Sequence, residues 1–308
     1  MARLVADKLH PKARAIVDQI AALPQLPTLT PVEARGRPAP LEAAPEAVGS
    51  VTARTIPGPG GPLAVRIYRP KDALRAALVY FHGGGWVVGS LESADASCRA
   101  LTNRSRCVVI SVDYRLAPEN KFPAAVEDAY AATRWAADNA SDLRIDPARI
   151  AVGGASAGGN LAAAVALVAR DRGGPKIAFQ MLTVPVTELS ARAASYQEFA
   201  EGYGLSRSDM QWYGTHYVRT AADADEPYAS VLRADLHGMP PAFVITAECD
   251  PLRDDGEAYA EKLQKLGIAA RYKRYPGMFH GFMSFPAVLP EAAEAFDDAG
   301  KALREALS

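Results

Sequence analysis

Ser156 stands at the centre of Gly154-Ala155-Ser156-Ala157-Gly158, between the apolar run that ends at Gly153 and a helical stretch opened by Asn160. A serine on so tight a strand-to-helix turn is left exposed, and glycine two residues to either side removes side chains that would collide there. A helix beginning directly after it aims backbone N–H groups and the positive end of the helix dipole at the hydroxyl. The chemistry this suits is nucleophilic attack on an acyl carbon. A second glycine run, His82-Gly83-Gly84-Gly85-Trp86, follows the apolar segment ALVYF. The bare amides of Gly83 and Gly84, with that of Ala157 after the serine, could hold an oxyanion, each such donor being worth ~2.7 to 4 kcal/mol in a transition state. A strand leading through GGASAGG into a helix also resembles a dinucleotide-binding turn. The G-x-G-x-x-G spacing after the first strand and the ribose-binding acid are missing, which argues against a nucleotide-binding oxidoreductase.

These loops need a scaffold, and the pattern along the chain supplies one. VTARTI and LAVRIY flank a Gly-Pro-Gly-Gly turn and read as an antiparallel hairpin. ALVYF, CVVISVD, RIAVGG, IAFQML and AFVITAE are short, apolar on both faces and separated by helical stretches, the signature of a parallel sheet covered on both sides. Helices are expected near 94–103, 124–139, 160–170 and 253–266. Residues 1 to about 23 suit an amphipathic helix, after which Pro24, Pro27, Pro31, Pro38, Pro40 and Pro45 are expected to keep the chain extended. The interval from Thr187 to Asp235 is longer than a crossover needs, with a helical patch over 206–218, and reads as a cap together with the amino-terminal arm. The expected division is an arm over 1–45, a first part of the core over 46–186, a cap insertion over 187–235 and the rest of the core over 236–308.

Bulk composition narrows the classes. The 308 residues carry a formal net charge of −1, and hydrophobic and charged residues make up 49% and 22%, a balance fitting a globular enzyme with no broad electrostatic footprint for nucleic acid or anionic membrane. No secretory leader is read from MARLVADKLHPKAR, and no apolar run is long enough to cross a bilayer. Cys98, Cys107 and Cys249 have neither metal-ligand spacing nor the density of a disulfide framework, so a reducing cytoplasm is the expected compartment.

Taken in order, HGGGW, DYRLAPE from Asp113 to Glu119, GASAGGN, DPLRD from Asp250 to Asp254 and FHGF from Phe279 to Phe282 resemble the bacterial hormone-sensitive-lipase-like esterases of the α/β-hydrolase superfamily. The resemblance covers the chain from about residue 45 to the end. It implies an α/β-hydrolase fold with a mostly parallel central sheet, helices on both faces and a helical cap. The family usually carries an acid before the nucleophile, where this chain has Ala155. In this fold the catalytic residues run serine, acid, histidine, and of His10, His82, His216, His237 and His280 only His280 lies after every plausible acid. It follows ARYKRY and a Pro-Gly turn, hence sits on a loop after the last strand. Asp250 is expected at the carboxyl end of AFVITAE, where a carboxylate can hold the imidazole in the right tautomer. Asp254 and Asp255 lie in a first helical turn, where acids favour the helix dipole without any catalytic role.

The expected activity is hydrolysis of small to medium uncharged esters through Ser156, His280 and Asp250, with Gly83, Gly84 and Ala157 as oxyanion donors and no metal or organic cofactor. An amidase or deacetylase would use the same triad. A noncatalytic receptor on this scaffold, as plant gibberellin receptors resemble the family, would lack the histidine. Of Trp86, Tyr203, Trp212, Tyr213, Tyr217, Phe279 and Phe282, some suit an apolar pocket and at least half are expected to pack in the core. Asp113, Tyr114, Arg115 and Glu119 read as support beside the site, and Cys249 as a small packed residue. The resemblance also implies pairing of two copies through the edge strand near the carboxyl end.

Overall fold

The computed structural model describes residues 8–37 and 45–308. Its centre is an eight-stranded sheet in which β1 (Ser50–Gly58), β2 (Gly61–Arg69), β3 (Ala77–Phe81), β4 (Val108–Val112), β5 (Ile150–Ala155), β6 (Phe179–Thr183), β7 (Ala242–Cys249) and β8 (Ala270–Phe279) lie in the order β1-β2-β4-β3-β5-β6-β7-β8. The β1–β2 hairpin and the β2–β4 pairing are antiparallel; every pairing from β4 to β8 is parallel. All five residues of β3 and of β4 are buried, because helices cover both faces of the parallel part.

The covering helices among the described residues are α1 (Pro11–Ala21), α2 (Pro31–Arg35), α3 (Asp95–Ser105), α4 (Ala124–Asp138), α5 (Ala157–Asp171), α6 (Ser195–Glu198), α7 (Arg207–Tyr217), α8 (Arg253–Lys265) and α9 (Pro290–Leu307). Side chains alternate across the sheet, so Val79 and Phe81 enter a core shared with α4, α5 and α8, while Leu78 and Tyr80 enter one shared with α1, α3 and α9. The chain leaves β3 for β4 on one side and returns to β5 on the other. The carboxyl ends of β3 and β5 therefore flank a crevice at the switch in strand order, the place where open parallel sheets bind ligands.

Several expectations needed correction. Residues 1–7 of the segment expected to be helical, and Pro38 and Pro40, lie outside the described residues, and within them the first helix runs only from Pro11 to Ala21. Within them, Pro27 and Pro31 do not keep the chain extended: they sit in the first turns of a 3₁₀ turn (Leu26–Thr28) and of α2, where a missing N–H costs nothing. Thr30 and Glu33 close a capping box on α2. The helix after Ser156 begins at Ala157 rather than Asn160. Pro276-Gly277 is not a turn, because β8 continues through it to Phe279. Proline is tolerated there since β8 is the sheet's edge, and the local irregularity opposes a register shift between Ala247 and Cys249. The amphipathic α9, unread in the sequence, closes one face against α3.

Helix α7 and the short α6 lie within 187–235, and α1 and α2 within the amino-terminal arm. The Trp212 indole N–H donates to the Leu29 carbonyl at 3.2 Å, joining insertion and arm. Among the described residues no helix is long and apolar enough to cross a membrane.

Candidate active site

Ser156 occupies the step from β5 into α5 with φ 56° and ψ −117°. The turn is fixed by backbone bonds on both sides: Ser156 N–H donates to the Thr183 carbonyl at 2.8 Å, and Asn160 N–H to the Ser156 carbonyl at 3.0 Å. A Cβ on Gly158 would lie 1.9 Å from the Phe81 carbonyl oxygen, so the glycine is demanded by the close approach of α5 to the end of β3.

Three strand ends deliver the remaining groups. His280, directly after β8, holds its Nδ1 2.8 Å from Asp250 Oδ2 and its Nε2 3.0 Å from Ser156 Oγ. A carboxylate only accepts, so Nδ1 carries the proton and Nε2 is left to accept from the serine hydroxyl. Asp250, after β7, is fully buried, and its other oxygen accepts from Leu252 N–H at 2.9 Å. Asp254 and Asp255 do not reach the imidazole. Asp254 pairs with Arg253 and accepts from Ser195 N–H, whereas Asp255 is buried and accepts from the Tyr196 hydroxyl at 3.1 Å. Asp255 lies in the first turn of α8, as its place in the sequence indicated, and burial there raises its carboxyl to about 8.

The loop after β3 runs through Gly84, Gly85 and Trp86 at φ 112°, 57° and 62°. This brings Gly83 against the nucleophile: a Cβ there would lie 3.6 Å from Ser156 Cβ. Among the described residues the amides of Gly83, Gly84 and Ala157 donate to no protein group. Gly85 packs against Tyr213, whose ring would be 2.1 Å from an added Cβ. Beneath the loop the His82 and Tyr114 rings stack, the Tyr114 hydroxyl donates to the His82 carbonyl, and burial lowers the His82 imidazole to about 4.

The segment over 113–119 supports this loop, as its sequence suggested. Ala117 N–H donates to the Trp86 carbonyl at 2.9 Å, and Arg115 forms a fork with the buried Asp128. Arg35, passed over in the sequence, belongs to the same assembly. From α2 it donates to the carbonyls of Val87 and Ala117 at 2.9 and 2.8 Å and makes a bidentate pair with Glu119. No motif marks it; only the folded arm brings it there. Ser195 likewise ties α6 to the acid loop through the Pro251 carbonyl at 2.6 Å.

A cavity of about 850 Å³ opens above Ser156 and His280, with Val88, Leu205, Met210 and Tyr213 among its apolar walls. Of the aromatic candidates, Trp86 and Tyr213 line it. Tyr217, Phe279 and Phe282 are core residues, Tyr217 stacking on Trp86 at 4.1 Å and so docking α7 on the glycine loop. Trp212 and Tyr203 are partly buried against the cores. The three cysteines are buried and in no disulfide. Among the described residues no group of three or more His, Cys, Asp or Glu is placed to hold a metal ion.

Comparison with known proteins agrees with this architecture. Residues 78–284 match the family described as alpha/beta hydrolase fold. The chain is 43% identical over 252 residues to the carboxylesterase NlhH of Mycobacterium tuberculosis, covering 80% of this chain and 79% of that one. It is 46% identical over 227 residues to an arylesterase of Saccharolobus solfataricus, covering 73% and 74%. A hyperthermophilic esterase from the archaeon Pyrobaculum calidifontis superposes with a TM-score of 0.89 at 44% identity, over 96% of this chain and 98% of that one.

Proposed function

We propose, for a chain that belongs to the alpha/beta hydrolase fold family and within it to the hormone-sensitive-lipase-like carboxylesterases, that Ser156, His280 and Asp250 hydrolyse small to medium uncharged esters through an acyl-enzyme. The observation that carries this reading is the unbroken run of contacts from Asp250 through His280 to the Ser156 hydroxyl, at 2.8 and 3.0 Å. His280 takes the serine proton as Oγ attacks the ester carbonyl, and buried Asp250 stabilises the imidazolium that forms. The amides of Gly83, Gly84 and Ala157 receive the developing oxyanion. Collapse breaks the carbon–oxygen bond to the alcohol, whose oxygen takes the proton from His280. Water activated by the same imidazole then releases the acid and restores the serine.

The apolar part of the cavity wall, with Val88, Leu205, Met210 and Tyr213, favours an uncharged substrate. Replacing Ser156 by Ala should lower kcat by on the order of 10⁶ with neutral aryl esters. Near-normal turnover by that variant would end the proposal. A chain-length series of the same esters tests the substrate range, and a preference for long-chain emulsified lipid would overturn the small-ester reading.

A further inference from the structure

Helix α8 starts without a cap of its own. Its N-cap position is Leu252, whose apolar side chain accepts nothing, and the amide of Asp254 in the first turn is one of the donors that a helix start leaves unpaired. The acceptor comes from elsewhere in the chain. Ser195, the first residue of α6, is fully buried, and its hydroxyl oxygen accepts from Asp254 N–H at 3.3 Å. The same hydroxyl donates to the Pro251 carbonyl at 2.6 Å, while Ser195 N–H donates to the Asp254 carboxylate at 2.9 Å. Among the described residues neither the Pro251 carbonyl nor the Asp254 amide has another hydrogen-bond partner. Ser195 is thus a clip laid across the acid loop from the segment between β6 and β7.

The clip grips the loop one step from the catalytic carboxylate. The Pro251 carbonyl and the Leu252 N–H belong to one trans peptide unit, a rigid plane whose two polar ends point opposite ways. Its carbonyl end takes the Ser195 hydroxyl, and its N–H end donates to Asp250 Oδ1 at 2.9 Å. That leaves Asp250 Oδ2 facing His280 Nδ1 at 2.8 Å. The proline ring fixes φ at residue 251, so at that end the plane can turn only about ψ, the rotation that the Ser195 bond opposes. Turning it would carry the N–H away from Oδ1 and release the carboxylate from the imidazole. A donor on the carbonyl also polarises the amide it shares a plane with, which strengthens the bond to Asp250.

Resting on the triad reading above, we infer that Ser195 is a positioning residue for the reaction: its hydroxyl sets the Pro251–Leu252 peptide, which sets the Asp250 carboxylate against His280. Ser195 lies outside the wall of the cavity above Ser156, so its effect falls on kcat and spares KM.

The test is the cost of Ser195→Ala in two backgrounds, wild type and Asp250→Ala, read with a neutral aryl ester. In wild type kcat should fall by on the order of tenfold to a hundredfold, with KM changed by less than about twofold. In Asp250→Ala the same replacement should cost no more than about twofold, because the carboxylate it acts through is gone. An equal loss in both backgrounds, the result of a general loosening of the fold, overturns the inference. So does an unchanged kcat in the wild-type background. If Ser195→Ala does not accumulate in folded form, Asp254→Ala removes the carboxylate end of the same clip from a partly exposed side chain and is read by the same comparison. Failure of the triad reading looks different, since Asp250→Ala alone, or Ser156→Ala, would then keep near-normal turnover.

Discussion

The His82 and Tyr114 rings lie nearly parallel with centroids 4.2 Å apart, and the Tyr114 hydroxyl donates to the His82 carbonyl at 2.8 Å. The imidazole at the root of the glycine loop is thereby sealed from solvent, and burial holds it near 4 in place of an ordinary 6.5. Folded and unfolded chains differ in bound protons between those two values. His82 therefore adds nothing to the pH dependence above about 6.5, and stability is lost as pH falls from there towards 4, by about 3 kcal/mol in all. Urea melts at stepped pH should show this slope in wild type and a shallower one in His82→Gln.

Asp250→Asn should preserve the fold and the position of His280 while favouring the wrong imidazole tautomer. The expected loss in kcat is on the order of 10⁴, with little change in KM. A loss below about tenfold in steady-state hydrolysis of a neutral aryl ester would remove Asp250 from the mechanism.

Arg35 joins the arm to two loops through four hydrogen bonds, two of them to backbone carbonyls. Its pair with half-exposed Glu119 is screened by water, so the carbonyl bonds carry most of the effect. Arg35→Ala should cost roughly 1 to 2 kcal/mol and lower kcat/KM, on the order of tenfold, as the glycine loop loosens. Lysine should not restore either quantity, because one ammonium cannot reproduce a planar fork. Thermal melts beside kinetics for both variants would check this.

Gly158→Ala places a carbon 1.9 Å from the Phe81 carbonyl oxygen, a backbone atom that cannot yield. That protein should fail to accumulate in folded form, seen as lost cooperativity in thermal unfolding, whereas Gly214→Ala, with open space around it, should fold.

Much of the architecture was legible because it rests on patterns local in sequence. The double apolar character of β3, β4 and β5 announced a covered parallel sheet, and glycines at 154 and 158 marked the elbow that φ 56° at Ser156 requires. What escaped depends on contacts between distant segments. Arg35 looks like any surface arginine until α2 folds against the loop over 115–119. Pro276-Gly277 reads as a turn until the edge position of β8 and the Glu248 carboxylate, which accepts the Gly277 amide at 2.8 Å, make it part of a strand. Asp255 is the helix-start acid it reads as, but its burial beside Tyr196 of the insertion does not show in the sequence.

The backbone at Ser156 is held at a positive φ that a residue bearing a Cβ adopts only under strain, of order 1 to 3 kcal/mol. Exchange for glycine would relieve that tension and abolish the hydroxyl at once. Endurance and reactivity thus pull against each other at a single backbone position, and a selection for heat resistance alone would tend to erase the enzyme's competence there first.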